Sequence, residues 1–200
     1  MILGSHNSWS FLPVKKWWMK PIAFMARCQK DDVLWQYLAH GVRCFDLRIR
    51  FEEGYIVIAH GLVEYRTGMV QLNAQLYWLH CKGDCLVRVI HEVRNKRQYN
   101  KSSVDCFRRF CSHIENKFNR IRFWCGRNLY NWERDYTFNG DEPTCEEDYG
   151  SVSNHKWLYA WWPWIYARLQ NKKILEHGTD KDILLVDFID INNLNFSKQK

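Results

Sequence analysis

No stretch of the chain approaches the roughly 20 consecutive apolar residues that a membrane span needs. The N-terminus has neither the basic n-region nor the apolar h-region of a secretory signal, so the expectation is a cytoplasmic protein. Eight cysteines form no C-x-x-C pair and several fall inside apolar runs. That spacing reads as reduced core thiols rather than a disulfide framework or a zinc site. No H-x-H or H-x-x-x-H spacing supports a histidine zinc site. The chain also lacks internal repeats, low-complexity tracts and any RNA-binding motif that would gather its basic residues, so nucleic acid is not an expected partner.

What is present fits one globular domain spanning residues 1–200. Hydrophobic residues make up 46% and aromatics 16%, with 11 tryptophans, enough for a large core with indoles left over for surfaces. A formal charge of +7 favours an anionic partner such as a phosphate ester, a membrane surface or nucleic acid, without choosing among them.

Strand-like and helix-like runs alternate. Val42 to Phe51 and Tyr55 to Ala59 are rich in branched and aromatic residues, and Glu52, Glu53 and Gly54 between them signal a tight turn. Leu86 to Ile90, Ile121 to Cys125, Ile183 to Val186 and the opening Ile2-Leu3 bring the expected strands to six. Asp31 or Asp32 can cap a helix over VLWQYLAH that stops at Gly41, and Leu72, Leu76 and Leu79 mark a second. Val104, Phe107, Cys111, Ile114 and Phe118 form the stripe of a third, with Ser102 and Asp105 as its capping signal. Residues 95–103 and 139–153 read as loops. The alternation predicts an α/β fold with a mostly parallel sheet, either a closed (β/α) barrel or an open doubly wound sheet.

The informative pattern is what ends each strand. His6 follows the first; Asp46 and Arg48 share one face of the second; His60, Glu92, Arg127 and Asp187 follow four others. One histidine at a strand end is most often structural. Six strands each carrying an ionisable residue in this way suit a converging site on one face of a parallel barrel. Two imidazoles, a guanidinium and supporting carboxylates fit phosphodiester cleavage by a neighbouring hydroxyl, which needs a base, a cation for the phosphorane oxygens and an acid for the leaving alkoxide.

The runs LGSHNSWSF, YLAHGVRCFDLRIRF and IVIAHG resemble the catalytic X-type domain of phosphatidylinositol-specific phospholipase C. There a G-[ST]-H-[DN]-[ST] segment precedes G-[VA]-R-x-F-D-[IL]-R and then a strand ending in H-G. Order and spacing agree over roughly the first third of the chain. The resemblance implies a small TIM-like (β/α) barrel, distorted or trimmed because the chain is shorter than bacterial members, and a phosphoric diester hydrolase or lyase activity on phosphatidylinositol. It implies His6 as general base, His60 as general acid, Arg48 as the phosphate-binding cation of metal-independent members, Asp46 as the carboxylate working with His60, and Asp187, in LLVDFI, as the carboxylate orienting His6. More loosely, it implies substrate contacts for Arg127, Glu147 and Tyr149.

Asn7 and Glu92 stand where calcium-dependent members have metal ligands, but Arg48 replaces one of their metal carboxylates. The expectation is no cofactor, with Ca²⁺ on Asn7, Asp46 and Glu92 as the alternative. Trp17 and Trp18 among Lys15 and Lys16 have the composition of a peripheral membrane contact, or of a core helix with basic edges. Trp157 to Leu169 is expected to pack on the barrel. Other functions that fit are a lipid- or inositol-phosphate-binding module without turnover, and a phosphodiesterase for RNA or glycerophosphodiesters.

Overall fold

A computed structural model describes residues 1–52, 55–126, 135–147, 162–177 and 180–192. In chain order the elements are β1 (Ile2–Ser5), a 3-10 helix (Trp17–Ile22), α1 (Ala23–Ala26), α2 (Val33–His40), β2 (Cys44–Glu52), β3 (Tyr55–His60), β4 (Val63–Tyr65) and α3 (Met69–Lys82). They continue with β5 (Leu86–His91), α4 (Lys101–Lys117), β6 (Arg122–Cys125), β7 (Cys145–Glu147), α5 (Pro163–His177), β8 (Ile183–Val186) and a second 3-10 helix (Ile189–Asn192). The fold is mixed α/β around a curled half-barrel sheet.

Six strands run parallel in the order β7-β8-β1-β2-β5-β6, so the first strand lies between the second and the last. β2 is the long spine. Along one edge it carries β5 from Cys44 to Ile49; along the other it carries β1 at Cys44 and Phe45, then the antiparallel β3 from Ile49 to Glu52. β1 and β3 therefore follow one another along a single edge. This corrects one expectation: His60 arrives on an antiparallel return strand, not at the C-terminal end of a parallel one.

The helices form where periodicity and caps agree. Asp32 accepts the Trp35 N–H at 2.8 Å, and α2 ends at Gly41 with φ 71°, as the sequence suggests. α3 buries Leu72, Leu76 and Leu79. α4 buries Phe107, Phe110, Cys111 and Ile114, but its capping box joins Asn100 and Ser103, not Ser102 and Asp105. Asn100 wins because its side chain reaches the N3 amide. β4 and β7 are short three-residue strands that sequence pattern missed, β7 lying within the stretch read as a loop.

Side-chain alternation divides the sheet. Phe45, Leu47, Ile49, Val87, Val89, Leu184 and Val186 pack with the helices in the main core. On the opposite face Cys44, Leu86, Trp124, Ile183 and Leu185 form a smaller apolar plug at the N-terminal ends of the strands. Two residues further along the same alternation stand Asp46, Arg88 and Asp187. The plug gives way to charge at one level of the sheet.

None of the eight cysteines is joined in a disulfide. Cys28, Cys44, Cys85, Cys111 and Cys125 are buried, whereas Cys81 is exposed and is not a core thiol. Trp162, Trp164, Ile165 and Leu169 are exposed while Tyr166 and Ala167 are buried, so only part of the aromatic run packs inward. Residues 157–161 lie outside the described residues. Among the described residues, no helix is long and apolar enough to cross a membrane.

Candidate functional site

Gly4 fixes the start of the site. A Cβ there would collide with the Leu185 side chain and press on Cys44, so glycine lets β1 lie close against its neighbours. The chain then turns sharply. Asn7 takes φ 45°, the left-handed conformation that asparagine tolerates, and Ser8 N–H donates to the Asp46 carbonyl at 2.9 Å. Ser8 Oγ accepts the Asp46 N–H at 2.8 Å and donates to the Ser5 carbonyl at 2.8 Å. Trp9 is fully buried, with Nε1 donating to Gln75 Oε1 at 2.7 Å, which anchors the turn to α3. The polar letters after His6 thus hold its backbone in place.

Register does the rest. Gly4 pairs with Cys44 and Leu185, and Asp46 pairs with Arg88, so His6, Asp46, Arg88 and Asp187 meet at one level. His6 Nδ1 lies 2.7 Å from Asp187 Oδ1, and His6 Nε2 lies 2.7 Å from Arg48 Nη2. A guanidinium only donates, so Nε2 must accept and the ring proton sits on Nδ1, donated to Asp187. This is the tautomer a general base needs.

Arg48 Nε donates to Asp46 Oδ2 at 2.8 Å, and Arg88 Nε donates to Asp46 Oδ1 at 2.7 Å. The Asn7 amide donates to the same Oδ2 at 2.9 Å. Burial pushes the Asp46 carboxyl up, but the Arg48 and Arg88 guanidiniums outweigh it and hold it well below the usual carboxylate range. Arg48 also faces Glu92 Oε2 at 3.6 Å, while Glu92 Oε1 accepts the Gly61 N–H at 2.8 Å.

His60 comes in from β3, its ring perpendicular to that of His6 with centroids 5.4 Å apart. Its Nδ1 donates to the Ala26 carbonyl at 2.9 Å. Burial, the Arg48 guanidinium and His6 push the His60 imidazole below its ordinary value, against the opposing pull of Glu92. Asp46 is engaged by the two arginines and the Asn7 amide, and it is Ala26 that His60 bonds. The expected Asp46–His60 partnership is replaced, because the spine strand aims Asp46 at Arg88 across the ladder.

The segment from Ala26 to Gln29 closes over the cluster. Cys28 and Gln29 N–H both donate to Ser10 Oγ at 2.9 Å, and Gln29 Nε2 donates to the His6 and Val186 carbonyls. The Ala26 carbonyl also accepts from Tyr65 Oη at 2.8 Å. Burial, then Asp187, push the Cys28 thiol well above its ordinary value.

The structure thus brings together His6, Asn7, Asp46, Arg48, His60, Glu92 and Asp187. Arg127 and Tyr149 lie outside the described residues, as does the side chain of Glu147. Asn7, Asp46 and Glu92 do not form a calcium cage, because Asp46 is saturated by guanidinium and amide donors and Arg48 stands between it and Glu92. Sequence reasoning missed Arg88, Cys28 and Arg50. Arg88 carried a usable signal, a cation in the middle of the apolar run LVRVI. Arg50 is fully buried, with Nε and Nη2 donating to the Glu92 and Gly61 carbonyls at 3.0 and 2.6 Å, and it braces the loops behind Arg48.

Fold and site define an α/β protein with a largely buried cluster of two histidines, two arginines and three carboxylates where β1 and β8 end beside β2. No protein-family model matches the chain, and no curated protein matches it in sequence.

Proposed function

We propose that the protein is a phosphoric diester hydrolase or lyase of the phosphatidylinositol-specific phospholipase C type, built as a trimmed TIM-like barrel. The observation that carries this reading is His6, bonded through Nδ1 to Asp187 and through Nε2 to Arg48, with the second imidazole 5.4 Å away. A base with its tautomer fixed and its Nε2 lone pair turned to a cation, and a second imidazole within reach, are the parts that this reaction requires. The parallel strand order, which sets the first strand beside the last, supports the barrel.

A hydroxyl next to the phosphodiester takes the place of Arg48 on His6 Nε2 and gives up its proton there. The alkoxide attacks phosphorus, and Arg48 and Arg88 neutralise the equatorial oxygens. The bond from phosphorus to the leaving oxygen breaks as that oxygen takes a proton from His60 Nε2. The products are a cyclic phosphate and an alcohol. Asp187 holds the His6 tautomer and stabilises the imidazolium that forms. His60 rests neutral with its proton on Nδ1, so it first takes up a proton from solvent on Nε2 as the substrate binds; the phosphate charge offsets Arg48 and favours that uptake.

The rim beside the site supports a lipid substrate. Trp17 and Trp18 are 79% and 52% exposed, which favours a surface role for both, while the neighbouring Met19 is fully buried. Lys16 lies over the Trp18 ring, and both Lys15 and Lys16 also reach Glu64.

The test is turnover by the purified chain on phosphatidylinositol, glycerophosphoinositol and RNA, in EDTA and in Ca²⁺. The expected result is cyclic phosphate from an inositol substrate in EDTA, lost in His6→Ala and His60→Ala. Full turnover in both variants overturns the mechanism; strict Ca²⁺ dependence overturns Arg48 as the cation. Stoichiometric binding of inositol phosphate without product would favour the binding-module reading.

A further inference from the structure

His6, Cys28 and Asp187 are all buried, and their donor atoms lie within 4.8 Å of one another. Cys28 Sγ is also 3.8 Å from His60 Nδ1. The Asn7 side chain lies against the thiol, and its fully buried Oδ1 has no hydrogen-bond partner. A thiol, an imidazole and a carboxylate thus cluster, with the His60 imidazole beside the thiol, and phosphodiester cleavage does not use the thiol.

The structure assigns to His6, Cys28 and Asp187, with His60 within reach, a binding site for a soft divalent cation such as Zn²⁺. Ligands on a tetrahedral zinc ion sit about 3.3–3.7 Å apart, from metal–ligand bonds of roughly 2.0–2.3 Å. The Cys28–His60 separation of 3.8 Å is close to that value, while His6 Nδ1 and Asp187 Oδ1, now 2.7 Å apart around a proton, must part by about half an ångström. The donor set of sulfur, nitrogen and carboxylate selects Zn²⁺ over Ca²⁺, which prefers six or more oxygens.

Binding balances as follows. The Cys28 thiol loses its proton to solvent and becomes a thiolate ligand. Coordination through His6 Nδ1 moves the ring proton to Nε2, which then can accept neither from Arg48 nor from a hydroxyl; where His60 Nδ1 joins, it leaves the Ala26 carbonyl and its ring proton likewise moves to Nε2, with no further proton released. One proton is released per ion, and His6 is no longer a base. The ion is therefore a reversible inhibitor; that consequence rests on the function proposed above, whereas the metal site does not.

The experiment titrates the purified full chain with Co²⁺, a spectroscopic stand-in for Zn²⁺. A near-ultraviolet thiolate-to-cobalt charge-transfer band is expected. Zn²⁺ should abolish it, and Cys81→Ser and Cys106→Ser should retain it. Cys28→Ser and Asp187→Asn should weaken Co²⁺ binding by more than about tenfold, since losing even an outer-shell partner costs roughly 10- to 100-fold. Absence of the band, or its persistence in Cys28→Ser, overturns the site. Where a variant does not fold, calorimetry of Zn²⁺ binding to the native chain in buffers of different ionisation enthalpy decides: release of one proton supports the site, and release of none overturns it. If no form turns over any phosphodiester, the functional reading fails and the cobalt band still decides the metal site.

Discussion

His6 and Asp187, separated by 181 positions in the chain, share a 2.7 Å hydrogen bond at the end of two adjacent parallel strands. The bond exists because β1 and β8 are paired from Ile2 and Ile183 onward, so that the first histidine and a late aspartate reach the same level. It fixes the ring proton on Nδ1 and leaves Nε2 as the acceptor.

Asp187→Asn keeps the shape but removes the charge that stabilises an imidazolium and presents an amide that can bond the wrong tautomer. Turnover should fall by roughly 100- to 10,000-fold, with little change in KM. Steady-state kinetics on the substrate identified by the phosphodiester panel checks this; an unchanged kcat would remove Asp187 from the mechanism.

His60 should titrate below its ordinary value of 6.5 in the free chain, because burial and Arg48 both oppose its charge. Inorganic phosphate or inositol phosphate should move the midpoint upward, and Arg48→Met should do so without any ligand. NMR titration of the imidazole signals reads both shifts. A midpoint that ignores Arg48 would mean the two groups do not sense each other.

Asp46→Asn leaves Arg48 and Arg88 buried against a neutral partner, which should cost about 3–5 kcal/mol. Asp46 is a carboxyl whose folded value is depressed, so its stabilisation is fully present above its ordinary 3.8 and is lost as pH falls towards the lower folded value. The stability gap between wild type and variant should hold from neutral pH to about 4 and narrow below it. Denaturant melts across that range test the slope.

Gly4→Ala should destabilise by about 1–3 kcal/mol through overpacking against Leu185 and Cys44. Because β1 must move to admit the methyl, the variant should also displace His6 and lower turnover beyond what the stability loss explains. A thermal midpoint equal to wild type would show that the strands can part without cost.

The local elements were legible because each needs only its neighbours. The cap at Asp32, the stop at Gly41, the leucine face of α3 and the strand Ile183–Val186 follow from spacing alone. The three-residue β4 and β7 were not, since runs so short carry no period and form only because a longer strand offers an edge. The same limit applied to the site. Residue types at strand ends pointed to His6, Arg48, His60 and Asp187, while Cys28 looked like any buried thiol until the loop carrying it was seen over the histidines.

The sequence by itself determined which residues carry charge, which runs are apolar and where a helix stops at glycine, because these depend on covalent chemistry and near-neighbour periodicity. Only the tertiary structure decided who meets whom. Strand register set Asp46 against Arg88 and away from His60, and the closeness of β1 and β8 gave His6 its partner. A hydrogen bond needs its atoms within about 3 Å, and residues far apart in the chain acquire that proximity only when the sheet is assembled.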